Sequence, residues 1–255
     1  MNLVFASGFL VPQSLAGKDY FRGLRQQYPG ALFPKVDTIG DVADRAGQLA
    51  AQVAAGFKDG DIQIVAHSMG GLDARYLLAK NLNSLAGRVK SLSMIATPHW
   101  GSPVADLLTG EAAPLPLRVL AAKLTEGFLA QFPGLNKKAG ALQALTTAAA
   151  QQFNRDNPQV PGVSYYAYAG NGTGSSLLVP THGYLRLVGT TSDEQDNDGL
   201  VSVASASWPA ALAEAPWATD HIGEVGYDLD APPDFATSFP YLAAIGRVVA
   251  RAAAG

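Results

Sequence analysis

Ser68 sits in the pentapeptide Ala66-His67-Ser68-Met69-Gly70, between an apolar run and a segment with helical spacing. A serine that attacks a carbonyl is carried on a sharp strand-to-helix turn, where bulky side chains two residues before and after it would collide. Alanine and glycine fill those flanks here, and no other serine in the chain has Gly or Ala at both positions. The turn would place the hydroxyl at a helix N-terminus, whose N–H groups can stabilise a developing oxyanion. The plainer alternative is a serine that merely caps a helix.

A serine hydroxyl becomes a nucleophile when an imidazole takes its proton, and a carboxylate holds that imidazole in one tautomer. The chain offers four histidines. His67 adjoins the serine and reads as packing, His99 precedes any late acid, and His182 precedes the acidic cluster Asp193, Glu194, Asp196 and Asp198. His221 alone satisfies the order serine, acid, histidine. Residue chemistry leaves the four acids open, with Asp220 weaker because adjacent side chains rarely face each other.

The elements that would position these groups alternate over the first hundred residues. Residues 2–6, 31–36, 61–66 and 89–96 read as strands, and 42–55 and 70–80 as helices, an order that predicts a mostly parallel sheet covered on both faces. Residues 163–169 and 184–188 are expected as further strands and 241–254 as a closing helix. The Ala/Leu-rich stretch from about 101 to 153 is expected to be helical, inserted between two strands. Its apolar series Leu115, Leu117, Val119, Leu120, Leu124, Phe128, Leu129 and Phe132 suits either a lid over the site or a core helix.

A chain of 255 residues, 48% hydrophobic and 15% charged, is long enough for one complete α/β domain spanning 1–255. Its net charge of -3 and scattered basic residues give no footprint for nucleic acid. With no cysteine, disulfides and thiolate chemistry are excluded. No apolar run reaches the roughly 20 residues of a membrane span. A monomer is expected, and the compartment is left open.

The sequence resembles the bacterial true lipases of family I, in particular their short, Cys-free Proteus-like branch, which are α/β-hydrolases. The likeness runs through AHSMGG (66–71), ATPHWGS (96–102), ALTTAAAQQFNRDNPQ (144–159), GVSYYAY (162–168), LVPTH (178–182), NDGLVS (197–202) and DHI (220–222). It implies Asp198 as the acid beside Ser68 and His221, and main-chain N–H groups of Phe9 and Met69 as the oxyanion hole. Ser7 stands where these lipases usually carry histidine. The resemblance also implies a structural calcium, but the matching ligand positions are Val179, Gly223 and Tyr227. None supplies a carboxylate, so no calcium and no other cofactor is expected.

The activity implied is hydrolysis of hydrophobic carboxylic esters, acylglycerols above all, through an acyl-enzyme. Polyester depolymerisation and acyl transfer to an alcohol use the same groups and stay open. A binding module without catalysis is the remaining class, disfavoured by the intact Ser68, Asp198 and His221 set.

Overall fold

A computed structural model describes residues 1–9, 15–110 and 140–254. Four parallel strands, β1 (Asn2–Ala6), β2 (Ile62–His67), β3 (Val89–Ile95) and β4 (Ser164–Tyr168), pair in that order. Helices α1 (Val42–Gly56) and α2 (Met69–Ala79) connect the first three, and α3 (Pro103–Thr109) and α4 (Thr147–Asp156) lie between β3 and β4. After β4 come α5 (Val179–Val188) and α6 (Tyr241–Ala254).

Strand alternation gives the sheet two apolar faces. Val4, Ile64, Ala66 and Met94 pack against Leu49 and Val53 of α1 and Leu77 of α2. Phe5, Val65 and Ile95 point the other way, into a cluster holding Ile245 and Val248 of α6. A buried ion pair joins α1 to α2, with Arg45 Nη2 2.8 Å from Asp73 Oδ2. Burial raises the Asp73 carboxyl to about 7 despite that guanidinium.

Two expected strands are absent. Residues 31–36 make a single bridge, Leu32 to Val4, before the chain leaves the sheet edge. Residues 184–188 are the end of α5. Their Tyr-Leu-Arg-Leu-Val alternation suits a strand, but Pro180 opens a helix that buries Thr181, Tyr184 and Leu185 at one-turn spacing. Between β3 and β4 the described residues include the helices Pro103–Thr109, Gly140–Ala144 and Thr147–Asp156, and no strand. The apolar series from Leu115 to Phe132 lies outside the described residues.

A second buried polar cluster ties α2 to the loop after β3. Arg75 donates to His99 Nδ1 at 3.0 Å, to Asn154 Oδ1 at 2.9 Å and to the Asn157 carbonyl at 3.1 Å. Its guanidinium lies 3.4 Å from the centre of the Trp208 ring. Burial first, and then Arg75, hold His99 well below the usual imidazole pKa. The unfolded chain therefore takes up a proton near pH 6.5 that folded His99 refuses, so the stability due to His99 is present above that pH and lost below it. The stability gap between wild type and His99→Gln is expected to narrow by roughly 1 kcal/mol as pH falls one unit below 6.5. Urea unfolding at a series of pH values reads it, and parallel pH dependences would refute it.

Candidate active site

The polypeptide leaves β2 at His67 and enters α2 at Met69, which forces Ser68 to φ 55 and ψ -132. Three backbone contacts hold it. Ser68 N donates to the Ile95 carbonyl at 2.8 Å, and its own carbonyl accepts from Thr97 Oγ1 at 2.9 Å and Gly71 N at 3.1 Å. The small flank after the serine has a clear cause. A Cβ on Gly70 would sit 2.6 Å from the Ala6 carbonyl oxygen and 2.7 Å from that of Ser7.

Ser68 and His221 line one cleft, whose remaining walls include Val104, Leu108, Leu142 and Leu145. His221 Nδ1 lies 2.7 Å from Asp198 Oδ2, and its backbone N–H donates to the Asp198 carbonyl at 2.9 Å. Asp198 Oδ1 accepts from the N–H groups of Leu200, at 2.8 Å, and Val201, at 2.7 Å. Both carboxylate oxygens are thus engaged, one fixing the loop and the other the imidazole. With Nδ1 held in this way, Nε2 is the nitrogen left to meet a serine proton.

The other acids of the cluster do different work. Glu194 closes a capping box with Thr191, and Asp193 is exposed. Asp220 accepts from Ser175 N at 2.6 Å, Ser175 Oγ at 2.9 Å and Gly223 N at 2.7 Å, clamping two loops. His182 is half-buried on α5 and its ring has no part in the cleft.

Phe9 is buried and lines the cleft, while Met69 opens α2, where the first-turn N–H groups lack intrahelical partners. Arg45 reaches past Asp73 to the Ser7 carbonyl at 3.0 Å, which steadies the loop leading to Phe9 without the histidine usual at position 7.

Three groups were not picked out from the sequence as site residues. His67, expected to pack away from the site, has its ring centre 4.5 Å from that of His221. Its Nδ1 lies 2.7 Å from the Tyr20 hydroxyl and its Nε2 3.0 Å from Glu224 Oε2. Glu224 Oε2 is also 3.6 Å from His221 Nδ1. Burial first, then Asp198 and Asp220, push the Glu224 carboxyl well above the usual carboxylate range. Burial and the neighbouring His221 hold His67 well below the imidazole range. A lone carboxylate in the apolar stretch His221-Ile222-Gly223-Glu224-Val225 was the signal for Glu224; nothing distinguished Tyr20 among nine tyrosines.

The calcium ligand positions implied by the resemblance do not fit that ion. Val179 is exposed, Gly223 has no side chain, and the Tyr227 hydroxyl donates to the Asp19 carbonyl at 2.6 Å. Among the described residues the one cluster with metal-ligand spacing is His67, His221 and Glu224. Two imidazoles and a carboxyl do not make the all-oxygen shell that calcium needs.

No protein-family model matches the chain. Its sequence is 29% identical to a triacylglycerol lipase of Vibrio cholerae, over 88% of this chain and 78% of that protein. It is also 29% identical to a triacylglycerol lipase of Pseudomonas fragi, over 82% of each. The structure superposes on that of a metagenomic carboxyl esterase with a TM-score of 0.70, covering 98% of this chain and 76% of the other at 23% identity. The chain has the α/β-hydrolase fold, and its sequence is similar to those of triacylglycerol lipases. In this hydrolase the elbow geometry yields a direct test. Gly70→Ala is expected to slow labelling of Ser68 by a fluorophosphonate at least about tenfold, since the new methyl must push the Ala6 and Ser7 carbonyls apart. Unchanged labelling would show that the turn tolerates the methyl.

Proposed function

We propose that this carboxylic ester hydrolase is a lipase that cleaves acylglycerols through an acyl-enzyme on Ser68. The observation that carries the reading is the bond from His221 to Asp198 beside a buried, strained Ser68 in a cleft with apolar walls. His221 accepts the Ser68 proton as the hydroxyl attacks the ester carbonyl, and returns it to the departing alcohol. It then takes a proton from water, which attacks the acyl-enzyme, and gives that proton to Ser68 Oγ as the acid leaves. Asp198 keeps the imidazole in the required tautomer and stabilises the imidazolium. The N–H groups of Phe9 and Met69 receive the negative charge on the carbonyl oxygen.

The apolar walls supply the reason for a fatty acyl group: each buried methylene contributes roughly 0.8 kcal/mol of binding. Assignment to the Proteus-like branch of the family I lipases, and a monomeric state, belong to the same proposal.

Hydrolysis of a series of p-nitrophenyl esters is the test. Ser68→Ala is expected to abolish turnover, and Asp198→Asn to lower kcat by about 10⁴-fold, because the amide favours the wrong tautomer of His221. Ester hydrolysis surviving in Ser68→Ala would sink the mechanism. The site is further proposed to work without calcium. Activity should be unaffected by prolonged EDTA treatment, and a loss restored by added calcium would overturn that.

A further inference from the structure

Behind the triad runs a second chain of buried groups, Glu224 to His67 to Tyr20, that the mechanism above does not use. It ends in the cleft itself. Tyr20 lines the same cavity as Ser68, His221 and Phe9. Its hydroxyl and the Ser68 Cβ lie on one side of Gly8, 2.5 and 2.8 Å from where a Cβ on that glycine would stand. We propose that Tyr20 is a catalytic residue, whose O–H donates a third hydrogen bond to the oxyanion formed at Ser68, with His67 and Glu224 as the positioning residues that aim it. The proposal rests on the ester-hydrolase reading of the same site.

The direction of the donors decides the matter. If Glu224 were a carboxylate, it would accept from His67 Nε2–H. His67 Nδ1 would then accept from Tyr20, and the tyrosine proton would be spent inside the protein. Glu224 is fully buried, however, and the groups that face it are Asp198, Asp220, His67, His221 and the Tyr20 hydroxyl, with no lysine or arginine among them. The Gly170 backbone N–H faces Glu224 and favours its charged form, but burial, Asp198 and Asp220 outweigh it. The neighbouring donors are committed elsewhere, Leu200 and Val201 to Asp198, and Ser175, Ile222 and Gly223 to Asp220. A third buried negative charge beside those two carboxylates costs more than keeping the proton. Glu224 therefore holds a proton on Oε2 and donates it to His67 Nε2 across 3.0 Å.

The neutral imidazole then carries its own hydrogen on Nδ1 and donates to the Tyr20 oxygen across 2.7 Å. The Gly8 amide faces that oxygen as well. With its oxygen already accepting, Tyr20 has one direction left for its proton, into the cleft where the ester carbonyl becomes an oxyanion. The hydroxyl stays protonated throughout, because burial raises its pKa. No bond to Tyr20 forms or breaks; it contributes a hydrogen bond that strengthens as negative charge develops.

The test is steady-state kinetics on a soluble ester for wild type, Tyr20→Phe, Glu224→Leu, Glu224→Gln and the double variant Tyr20→Phe/Glu224→Leu. Tyr20→Phe is expected to lower kcat on the order of 10²-fold, the usual effect of one oxyanion donor, with KM within about threefold. Glu224→Leu, which lets His67 turn to its other tautomer, should lose a comparable factor. Glu224→Gln should recover most of it through its amide N–H. The double variant should be no slower than Tyr20→Phe alone. A loss below about tenfold in Tyr20→Phe, or losses that multiply in the double variant, would overturn the proposal. If Glu224→Leu does not fold, the KM-against-kcat split of Tyr20→Phe decides alone. Wild type that turns over no ester would instead reject the ester-hydrolase reading, whereas active wild type with an unimpaired Tyr20→Phe rejects only the role of Tyr20.

Discussion

At φ 55 and ψ -132 the backbone of Ser68 occupies a region that costs a residue with a side chain on the order of 1–3 kcal/mol, so the surrounding structure must over-determine it. That cost sets requirements outward in every direction. β2 must be central, so that Ser68 N can reach the Ile95 carbonyl of β3. α2 must start at once, so Gly70 has to slide under the Ala6 and Ser7 carbonyls, and Gly71 has to press against Thr97. The loop after β1 must pass close by, and Arg45 holds it there by the Ser7 carbonyl. Sheet order, glycine placement and a buried arginine are all consequences of one strained residue.

Around that residue three carboxyl groups from two short segments meet two imidazoles, and the backbone decides how they differ. Asp198 and Asp220 each sit in a turn that aims N–H groups at them, which suits a carboxylate. Glu224 reaches the same region from one turn further along and meets two imidazoles and a single backbone amide, that of Gly170, too little to offset its burial beside two carboxylates. Equal side-chain chemistry thus divides into a charge that orients His221 and a proton that orients His67. The division is written in backbone geometry rather than in residue type.

This explains what could be read from the chain and what could not. Ser68 was legible because its turn constrains near neighbours, Ala66 and Gly70, which are visible in a local window. His221 was legible by its order in the chain. Choosing Asp198 among four acids needed a resemblance, since what distinguishes it is reach through space; the structure places it alone of the four against His221. Tyr20 and Glu224 meet His67 from 47 residues before it and 157 after it, and no local pattern carries a contact of that span. The helix over residues 179–188 was misread for the opposite reason. Its alternating end was visible, while its packing at Thr181, Tyr184 and Leu185 was not.

The loop that carries His221 is gripped by aspartates through direct bonds to other loops. Asp220 holds Ser175 and Gly223, and Asp230 holds Ser176 at 2.6 and 2.8 Å. A clamp assembled from a bound ion is as strong as the free concentration of that ion allows, because occupancy adds stability as the logarithm of that concentration. A clamp of side chains has no such dependence: its two halves are tethered at a fixed effective concentration by the fold. On the proposal that the site works without calcium, the geometry of the base does not depend on the concentration of a bound ion.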